Sequence, residues 1–82
     1  MNIETVKEEM ANFIKENTFA DISKLTNNTL IFHDGYFDSM GFVTLISFLE
    51  DKYSIQIGED ELVEENFESI DAISSFIVKK HN

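Results

Sequence analysis

The segment from Ser39 to Tyr53 constrains the fold of this chain, because apolar residues recur in it every three or four positions. That spacing places side chains along one face of an α-helix. The predicted core face comprises Phe42, Leu45, Ile46, Leu49 and Tyr53. Asp38 precedes the pattern, and aspartate commonly caps a helix start. We therefore predict a helix over 39–53 with Asp38 as its N-cap.

The same spacing predicts helices near both ends of the chain. The first runs from Asn2, its predicted cap, to about Asn17, and the last runs from about Ser69 to Lys80. The residues predicted to be buried are Ile3, Val6, Met10, Phe13 and Ile14 in the first helix, and Ile70, Ile73, Phe76 and Ile77 in the last. Lys79 and Lys80 would complement the dipole of the last helix. A short acidic helix is predicted near 59–64.

The remaining stretches lack a helical period. Residues 17–37 are predicted to form a long loop. Its predicted anchors on the core are Phe19, Ile22, Leu25, Leu30 and Ile31. Ser54 to Gly58 alternates like a strand, but a lone strand has nothing to pair with, so we interpret it as an extended connection that buries Ile55 and Ile57. The prediction is a single domain over 1–82, an all-α bundle of three main helices and one short helix, with a long loop between the first two.

Charge and composition narrow the possible partners and location. The chain has 6 basic and 16 acidic residues and a formal net charge of −10. Nucleic acid is excluded as a partner and anionic membrane surfaces are disfavoured, because both are bound through Lys and Arg. Proteins with basic docking patches are expected instead, although the charge could equally serve solubility alone. There is no cysteine, no membrane-length apolar run and no signal-peptide pattern, so we expect a cytoplasmic monomer without membrane insertion.

Ser39 is the main candidate for a functional residue, because it lies in the first turn of the predicted central helix. Free N–H groups and the positive end of the helix dipole stabilise an anion such as phosphate there. Gly35 and Gly41 would keep backbone bulk low, so that a second protein could approach. The simpler interpretation is a routine helix start. A serine nucleophile with His33 or His81 as its base is a third, but so small a helical chain leaves little room for a pocket.

Two further features of the sequence are candidates for a binding surface and for a metal site. Met40, Val43 and Ser47 form a partly apolar row beside the core face, although Met40 could equally fill a gap in the core. The acidic run GEDELVEEN lacks the alternating ligand spacing of a calcium loop. We interpret that run as a solvated face and predict no metal site.

The segment GYFDSMGFVTLISFLEDKYSIQI, residues 35–57, resembles the central segment of acyl and peptidyl carrier proteins. The shared landmarks are Asp-Ser-Met at the head of the second helix, the spaced Val and Leu, Leu-Glu before an aromatic residue, and Ile-x-Ile after it. FESIDAISSFI resembles the last helix of that family. The resemblance covers about Gly35 to Ile77.

This resemblance implies a carrier rather than an enzyme. Asp38 and Ser39 match the attachment pair, in which a phosphopantetheinyl transferase esterifies the serine with 4′-phosphopantetheine from coenzyme A. The reactive thiol would then come from that group. An activating ligase would load acyl or aminoacyl groups as thioesters, and a downstream transferase or synthase would receive them. The residues implied to face these enzymes are Met40, Val43, Ser47, Glu50 and Asp51, of which Glu50 and Asp51 could equally be a solvated helix face.

Departures from the fatty-acid carriers favour a specialised pathway. Those carriers usually have acidic residues where this chain has Gly41 and Thr44. The spacing Gly-x-x-Asp-Ser-x-Gly instead resembles D-alanyl carriers and stand-alone aminoacyl or specialised acyl carriers. The alternative function is an acidic helical adaptor without a prosthetic group. Such an adaptor would have no reason to expose Ser39 between Asp38 and Met40.

Overall fold

The computed structural model describes residues 1–81, and its regular elements are helical. In chain order they are α1 (Ile3–Asn17), α2 (Ser39–Tyr53), a 3-10 turn (Glu59–Glu61), α3 (Glu64–Phe67) and α4 (Ile70–His81). Residues 1–81 contain no strand. The predicted all-α bundle, with three longer helices, a short one and a long first loop, is confirmed.

The three long helices begin at side-chain caps. The Asn2 side-chain oxygen accepts a hydrogen bond from the Glu4 N–H at 2.8 Å, as predicted for the start of α1. The Ser69 hydroxyl accepts one from the Ala72 N–H at 3.1 Å, and this cap starts α4. Because caps satisfy N–H groups that the helix itself leaves free, the observed starts follow the polar residues that precede each apolar stripe.

The core lies where α1, α2 and α4 meet, with α1 packed closely along α4. Its buried apolar residues are Val6, Met10, Phe13, Ile14, Ile31, Tyr36, Phe37, Leu45, Leu49, Tyr53, Phe67, Ile70, Ile73 and Ile77. The predicted faces of the three long helices supply most of them. Phe42, Ile46 and Phe76, also predicted in the core, are half-buried at its edge. Ile55 and Ile57 are half-buried too, in an extended connection without strand pairing.

Three of the predicted loop anchors are wrong. Phe19 is fully exposed, and Ile22 and Leu30 are also exposed. Leu25 is half-buried against the core, whereas Ile31 is completely buried. The side chains of a loop have no fixed period, so hydrophobicity alone does not determine which of them reach the core.

Backbone hydrogen bonds to the start of α4 explain why Ile31 is the anchor. The Ile31 N–H donates to the Glu68 carbonyl at 2.9 Å, and the Asp71 N–H donates to the Asn27 carbonyl at 2.9 Å. These two bonds hold the loop against the junction between α3 and α4. The loop is therefore anchored by its backbone, and its exposed apolar side chains are not needed to hold it in place.

The predicted acidic helix over 59–64 is also wrong in detail, because the segment divides into the 3-10 turn and α3. The Glu61 carboxylate accepts a hydrogen bond from the Gly58 N–H at 2.9 Å and pairs with Lys80 at 2.7 Å. These contacts, with Lys80 the larger influence, lower the pKa of the Glu61 carboxyl. The Glu61 carbonyl accepts a bond from the Asn66 side chain at 2.9 Å. Glu61 thus closes one turn and supports the next.

Candidate functional site

The start of α2 presents an exposed serine beside a capped helix end. Ser39 is the first residue of α2 and is exposed. Asp38 Oδ1 accepts a hydrogen bond from the Gly41 N–H at 3.0 Å, and the Asp38 carbonyl accepts one from the Phe42 N–H at 3.0 Å. The predicted N-cap is therefore confirmed. The positive end of the helix dipole lies at Ser39.

A tight bend of the loop delivers the chain to this helix start. Gly35 has φ of 85°, a conformation that glycine adopts without steric cost. Directly after it, the N–H groups of Tyr36 and Phe37 both donate to the Ile31 carbonyl, at 2.9 and 3.1 Å. Ile31 thus links the start of α2 to the anchored part of the loop.

Gly41 has an internal role rather than the predicted one of leaving room for a partner protein. A Cβ built on Gly41 would lie 2.8 Å from the Cβ of Phe37 and 2.9 Å from its ring. The space beside Gly41 is thus filled by the chain's own aromatic residue, and that interpretation of Gly41 is wrong. Open space does surround Gly35, but its φ value already explains why a glycine stands there.

The predicted row of Met40, Val43 and Ser47 lies on the surface. Met40 is 71% exposed and Val43 is 57% exposed, so Met40 does not fill a gap in the core. Val43 and Ser47, together with Leu62, help to line a shallow groove of about 180 Å³. The structure thus brings these residues together on one exposed face of α2. Their docking role remains a prediction.

Glu50 and Asp51 differ in their surroundings. Glu50 is half-buried, and its Oε2 accepts a hydrogen bond from the Ile57 N–H at 2.9 Å. It therefore holds the extended connection that follows α2, a role that the sequence did not indicate. Asp51 is exposed, which makes it the more accessible of the two acidic groups.

Two cavities flank the junction between the loop and α2. The first, which we call the Ser39 cavity, has a volume of about 480 Å³ and is lined by Phe32, Phe37, Asp38, Ser39, Phe42, Glu64 and Phe67. The second, the Phe19 cavity, has a volume of about 390 Å³ and is lined by Asn17, Phe19, Ala20, Gly35, Tyr36, Phe37, Asp38 and Met40. Ser39 borders the first and Met40 borders the second.

Sequence reasoning missed the residues that build the Ser39 cavity. Phe32 comes from the loop, and Glu64 and Phe67 come from α3, far from Ser39 in the chain. The ring centroids of Phe32 and Phe42 lie 5.6 Å apart, and those of Phe42 and Phe67 lie 5.7 Å apart, both in edge-on arrangements. The eight Phe residues in so short a chain were the available signal, but composition does not show which rings meet.

The structure does not assemble a serine–histidine pair. His33 Nδ1 lies 3.0 Å from Asp34 Oδ1, and both side chains are exposed. Within residues 1–81, no hydrogen bond joins Ser39 to His33 or His81. The same part of the chain contains no group of three or more His, Asp or Glu residues placed to hold a metal ion. The hydrolase interpretation therefore lacks its base.

The surroundings of Ser39 fit a group joined through a phosphate ester. The exposed hydroxyl lies at a helix N-terminus, where an anion is stabilised. Asp38 has one carboxylate oxygen engaged by the Gly41 N–H, and the Ser39 cavity gives a linked group room beside the attachment point. Among the helices formed by residues 1–81, none has the length and apolarity needed to cross a membrane.

Comparison with known proteins bears on this site. No model of a known protein family matches the chain. The D-alanyl carrier protein of Streptococcus suis strain 98HAH33 is 35% identical over 74 residues, which are 90% of this chain and 92% of that protein. The protein of the same name from Streptococcus suis strain 05ZYH33 shows the same identity and coverage. The chain belongs to the carrier-protein family that includes the D-alanyl carrier proteins.

Proposed function

We propose that this protein is a discrete acyl or aminoacyl carrier with 4′-phosphopantetheine on Ser39, serving a specialised biosynthetic pathway. The observation that carries the proposal is the exposed hydroxyl of Ser39 in the first turn of α2, next to the capping residue Asp38. A helix can start equally well without a serine at that position. In a member of the carrier-protein family, this serine is the natural attachment point.

Attachment is a phosphoryl transfer performed by a separate transferase. The Ser39 oxygen forms a bond to the phosphorus that bears the pantetheine, and its proton passes to a base of that enzyme. The anhydride bond within coenzyme A breaks, and adenosine 3′,5′-bisphosphate leaves. The carrier contributes a fixed approach, because the Asp38 cap and the Phe37 ring packed beside Gly41 hold the helix start in place.

Once bound, the group supplies a thiol on which an activating ligase loads the cargo as a thioester. The chain has no cysteine, so no thiol of its own competes for that cargo. The exposed row of Met40, Val43 and Ser47 runs along α2 from the attachment point. We propose this row as the contact surface for the transferase, the ligase and the enzyme that receives the cargo. Tethering raises the effective concentration of the cargo at each enzyme.

The charge of the surface supports basic partners. Three of the basic residues, Lys7, Lys52 and Lys80, are paired with acidic groups of the chain itself. The excess of carboxylates that produces the net charge of −10 therefore dominates the exposed surface. Steering by such a surface raises the association rate and weakens as salt is added.

The charge near Ser39 and the names of the relatives support a choice of which cargo to test first. Thr44, where fatty-acid carriers usually have an acidic residue, is uncharged, and its hydroxyl donates to the Met40 carbonyl at 3.0 Å. Docking to strongly basic fatty-acid enzymes should therefore be weaker than for a typical fatty-acid carrier. The relatives are named D-alanyl carrier proteins, so D-alanine is the first cargo to test, and other amino acids and short acyl groups come next.

Intact-mass measurement tests the attachment. The protein is incubated with coenzyme A and a broad-specificity phosphopantetheinyl transferase. We expect the mass to rise by one phosphopantetheine in the wild type and in Ser75→Ala, which removes another exposed helical serine, but not in Ser39→Ala. The proposal fails if the wild type gains nothing under conditions that modify a known carrier, or if Ser39→Ala is modified equally.

A further inference from the structure

We propose that the Ser39 cavity is a seat for the pantoyl segment of the phosphopantetheine arm, the branched dimethyl part that directly follows the phosphate. This inference rests on the proposed attachment at Ser39. It goes further by saying which surface of the protein the arm occupies, and which residues receive it.

Position is the first argument. Ser39 forms part of the wall of the cavity, so an esterified group begins at the cavity rim. The atoms just beyond the phosphate can enter without the arm folding back, whereas cargo at the far end cannot. The volume of about 480 Å³ lies within the usual range of small-molecule sites, roughly 300 to 1,000 Å³.

The aromatic lining is the second argument. Phe42 is half-buried at the cavity wall, and the completely buried Phe67 ring packs edge-on against it and holds it in place. Phe32 meets Phe42 in the same manner. A compact group with two methyl substituents on one carbon loses water-exposed apolar surface when it lies against such rings. The phosphate itself has no apolar surface to bury.

The charged lining is the third argument, because it selects a neutral group. The described residues that line the cavity include two carboxylates, Asp38 and Glu64, and neither Lys nor His. Carboxylates repel an anion and accept hydrogen bonds without donating any. The phosphate ester therefore stays at the rim beside Ser39. The pantoyl hydroxyl and the amide N–H that follows are donors, and Glu64 is an acceptor for them, whereas Asp38 has one of its two oxygens engaged by the Gly41 N–H.

The other two depressions near α2 fit the arm less well. Ser39 is not among the described residues of the Phe19 cavity, so an arm attached to Ser39 would not begin at the rim of that cavity. The groove beside Val43 and Leu62 is smaller, at about 180 Å³, and it also lacks Ser39 in its described lining. Both depressions therefore supply control positions.

Nuclear magnetic resonance of the loaded protein tests the proposal directly. Coenzyme A with isotope-labelled pantoyl methyl groups is used for loading, and intact mass verifies the modification of Ser39. We expect both methyl resonances to move upfield from those of free phosphopantetheine, because they lie over aromatic rings, and to show NOEs to ring protons of Phe32 and Phe42. If the methyl resonances of a fully loaded sample match those of free phosphopantetheine and show no NOEs, the proposal that the pantoyl segment binds in the Ser39 cavity is wrong. The proposed attachment at Ser39 would be unaffected. Failure to load overturns both proposals.

Matched variants identify the residues involved. Phe42→Leu should lose the upfield shift, whereas Phe19→Leu, which alters an exposed ring in the other cavity, should retain it. Glu64→Gln should move the arm's amide proton towards its free position, and the neighbouring Glu65→Gln should not. Backbone spectra verify that each variant is folded. The proposal is overturned if Phe19→Leu has the larger effect, or if NOEs to Phe42 come from a carried acyl group in place of the pantoyl methyls.

Discussion

At its last residue α2 is tied to α1 by polar groups, whereas at its first residue it is held by its own cap and by aromatic packing. The Tyr53 hydroxyl donates to Glu9 Oε1 at 2.7 Å, and Lys52 pairs with Glu9 Oε2 at 3.2 Å. At the other end, the Phe37 ring packs against the backbone beside Gly41. One end is therefore fixed by side-chain polar contacts to α1, and the other by the local Asp38 cap and the Phe37 ring, neither of which engages Ser39.

This difference explains how one helix serves both stability and chemistry. A hydroxyl that an external enzyme is to modify must be accessible at the surface. Ser39 lies at the end that is held by the Asp38 carboxylate and by apolar contact, so its hydroxyl stays exposed. Under the proposed function, the opposite end would keep the helix in place while an enzyme approaches Ser39. Substitutions at the two ends therefore test whether the supports are separable.

The largest effect is expected from Phe37→Ala. Phe37 is 7% exposed, and its loss leaves a cavity beneath the start of α2. We expect the free energy of unfolding to fall by about 3 kcal/mol, measured by urea denaturation followed by circular dichroism. Phe19→Ala removes an exposed ring and should change the free energy of unfolding little. A loss below about 1 kcal/mol in Phe37→Ala would contradict the view that aromatic packing supports this end.

The next largest effect on the free energy of unfolding is expected from Gly41→Ala. Replacing a helical glycine by alanine normally stabilises by about 1 kcal/mol. Here the new Cβ would lie 2.8 Å from the Phe37 Cβ, and overpacking of this kind costs about 1 to 3 kcal/mol. We expect a net loss of stability in the same denaturation assay, with Ser47→Ala on the exposed face of α2 as the control. A net gain would show that the helix start is not closed by Phe37.

Tyr53→Phe tests the polar end. Loss of a hydrogen bond to a charged acceptor should lower the free energy of unfolding by about 1.5 kcal/mol. In the background of Glu9→Ala the same change should cost less, because the two residues share the interaction. If Tyr53→Phe lowers the free energy of unfolding equally in both backgrounds, the hydrogen bond to Glu9 does not account for the stabilisation by the Tyr53 hydroxyl.

The raised pKa of Tyr53 predicts how the stability of the protein changes at alkaline pH. Burial, followed by the bond to Glu9, raises the pKa of the Tyr53 hydroxyl well above its ordinary value near 10. The folded state thus holds this proton more tightly than the unfolded state does. The stabilisation is complete below pH 10 and is lost as the pH rises through the raised pKa. The advantage of the wild type over Tyr53→Phe should therefore shrink above about pH 10, and an advantage that grows there would contradict this.

The smallest effects are expected at the cap. Asp38→Ala should cost about 1 kcal/mol, because the Gly41 N–H loses its acceptor. Asp38→Asn should cost only a few tenths, since asparagine caps a helix nearly as well. Thermal unfolding at neutral pH measures both. If Asp38→Asn is as damaging as Asp38→Ala, the charge of Asp38 and not its hydrogen bond supports this end of α2.

The sequence predicted the three long helices well, because their apolar stripes and caps are local signals. The bounds of α2 were predicted to the residue, from Ser39 to Tyr53. In the loop, burial depends on hydrogen bonds to residues distant in the chain, and Phe19 was wrongly placed in the core while Ile31 was placed correctly. The acidic helix was misplaced because the Glu61 carboxylate binds the Gly58 N–H and Lys80.

The candidate site also has one part that the sequence predicted and one part that it did not. Asp38 and Ser39 are neighbours in a helix start, so their geometry could be predicted from the sequence. The cavity beside them is made by Phe32, Glu64 and Phe67 from two other segments. No local pattern relates these residues to Ser39, and their meeting depends on how the loop and α3 pack against α2.

The two hydrogen bonds between the long loop and the start of α4 have a consequence for biosynthesis. Ile31 and Asn27 are synthesised before their partners Glu68 and Asp71, because translation runs from the N-terminus. Pairing of such distant residues is intrinsically slow and late. A growing chain therefore carries Ser39 well before its surroundings exist. Under the proposed function, we expect modification of Ser39 to follow the packing of the loop against α4, so that coenzyme A would be consumed by folded carriers and not by incomplete chains.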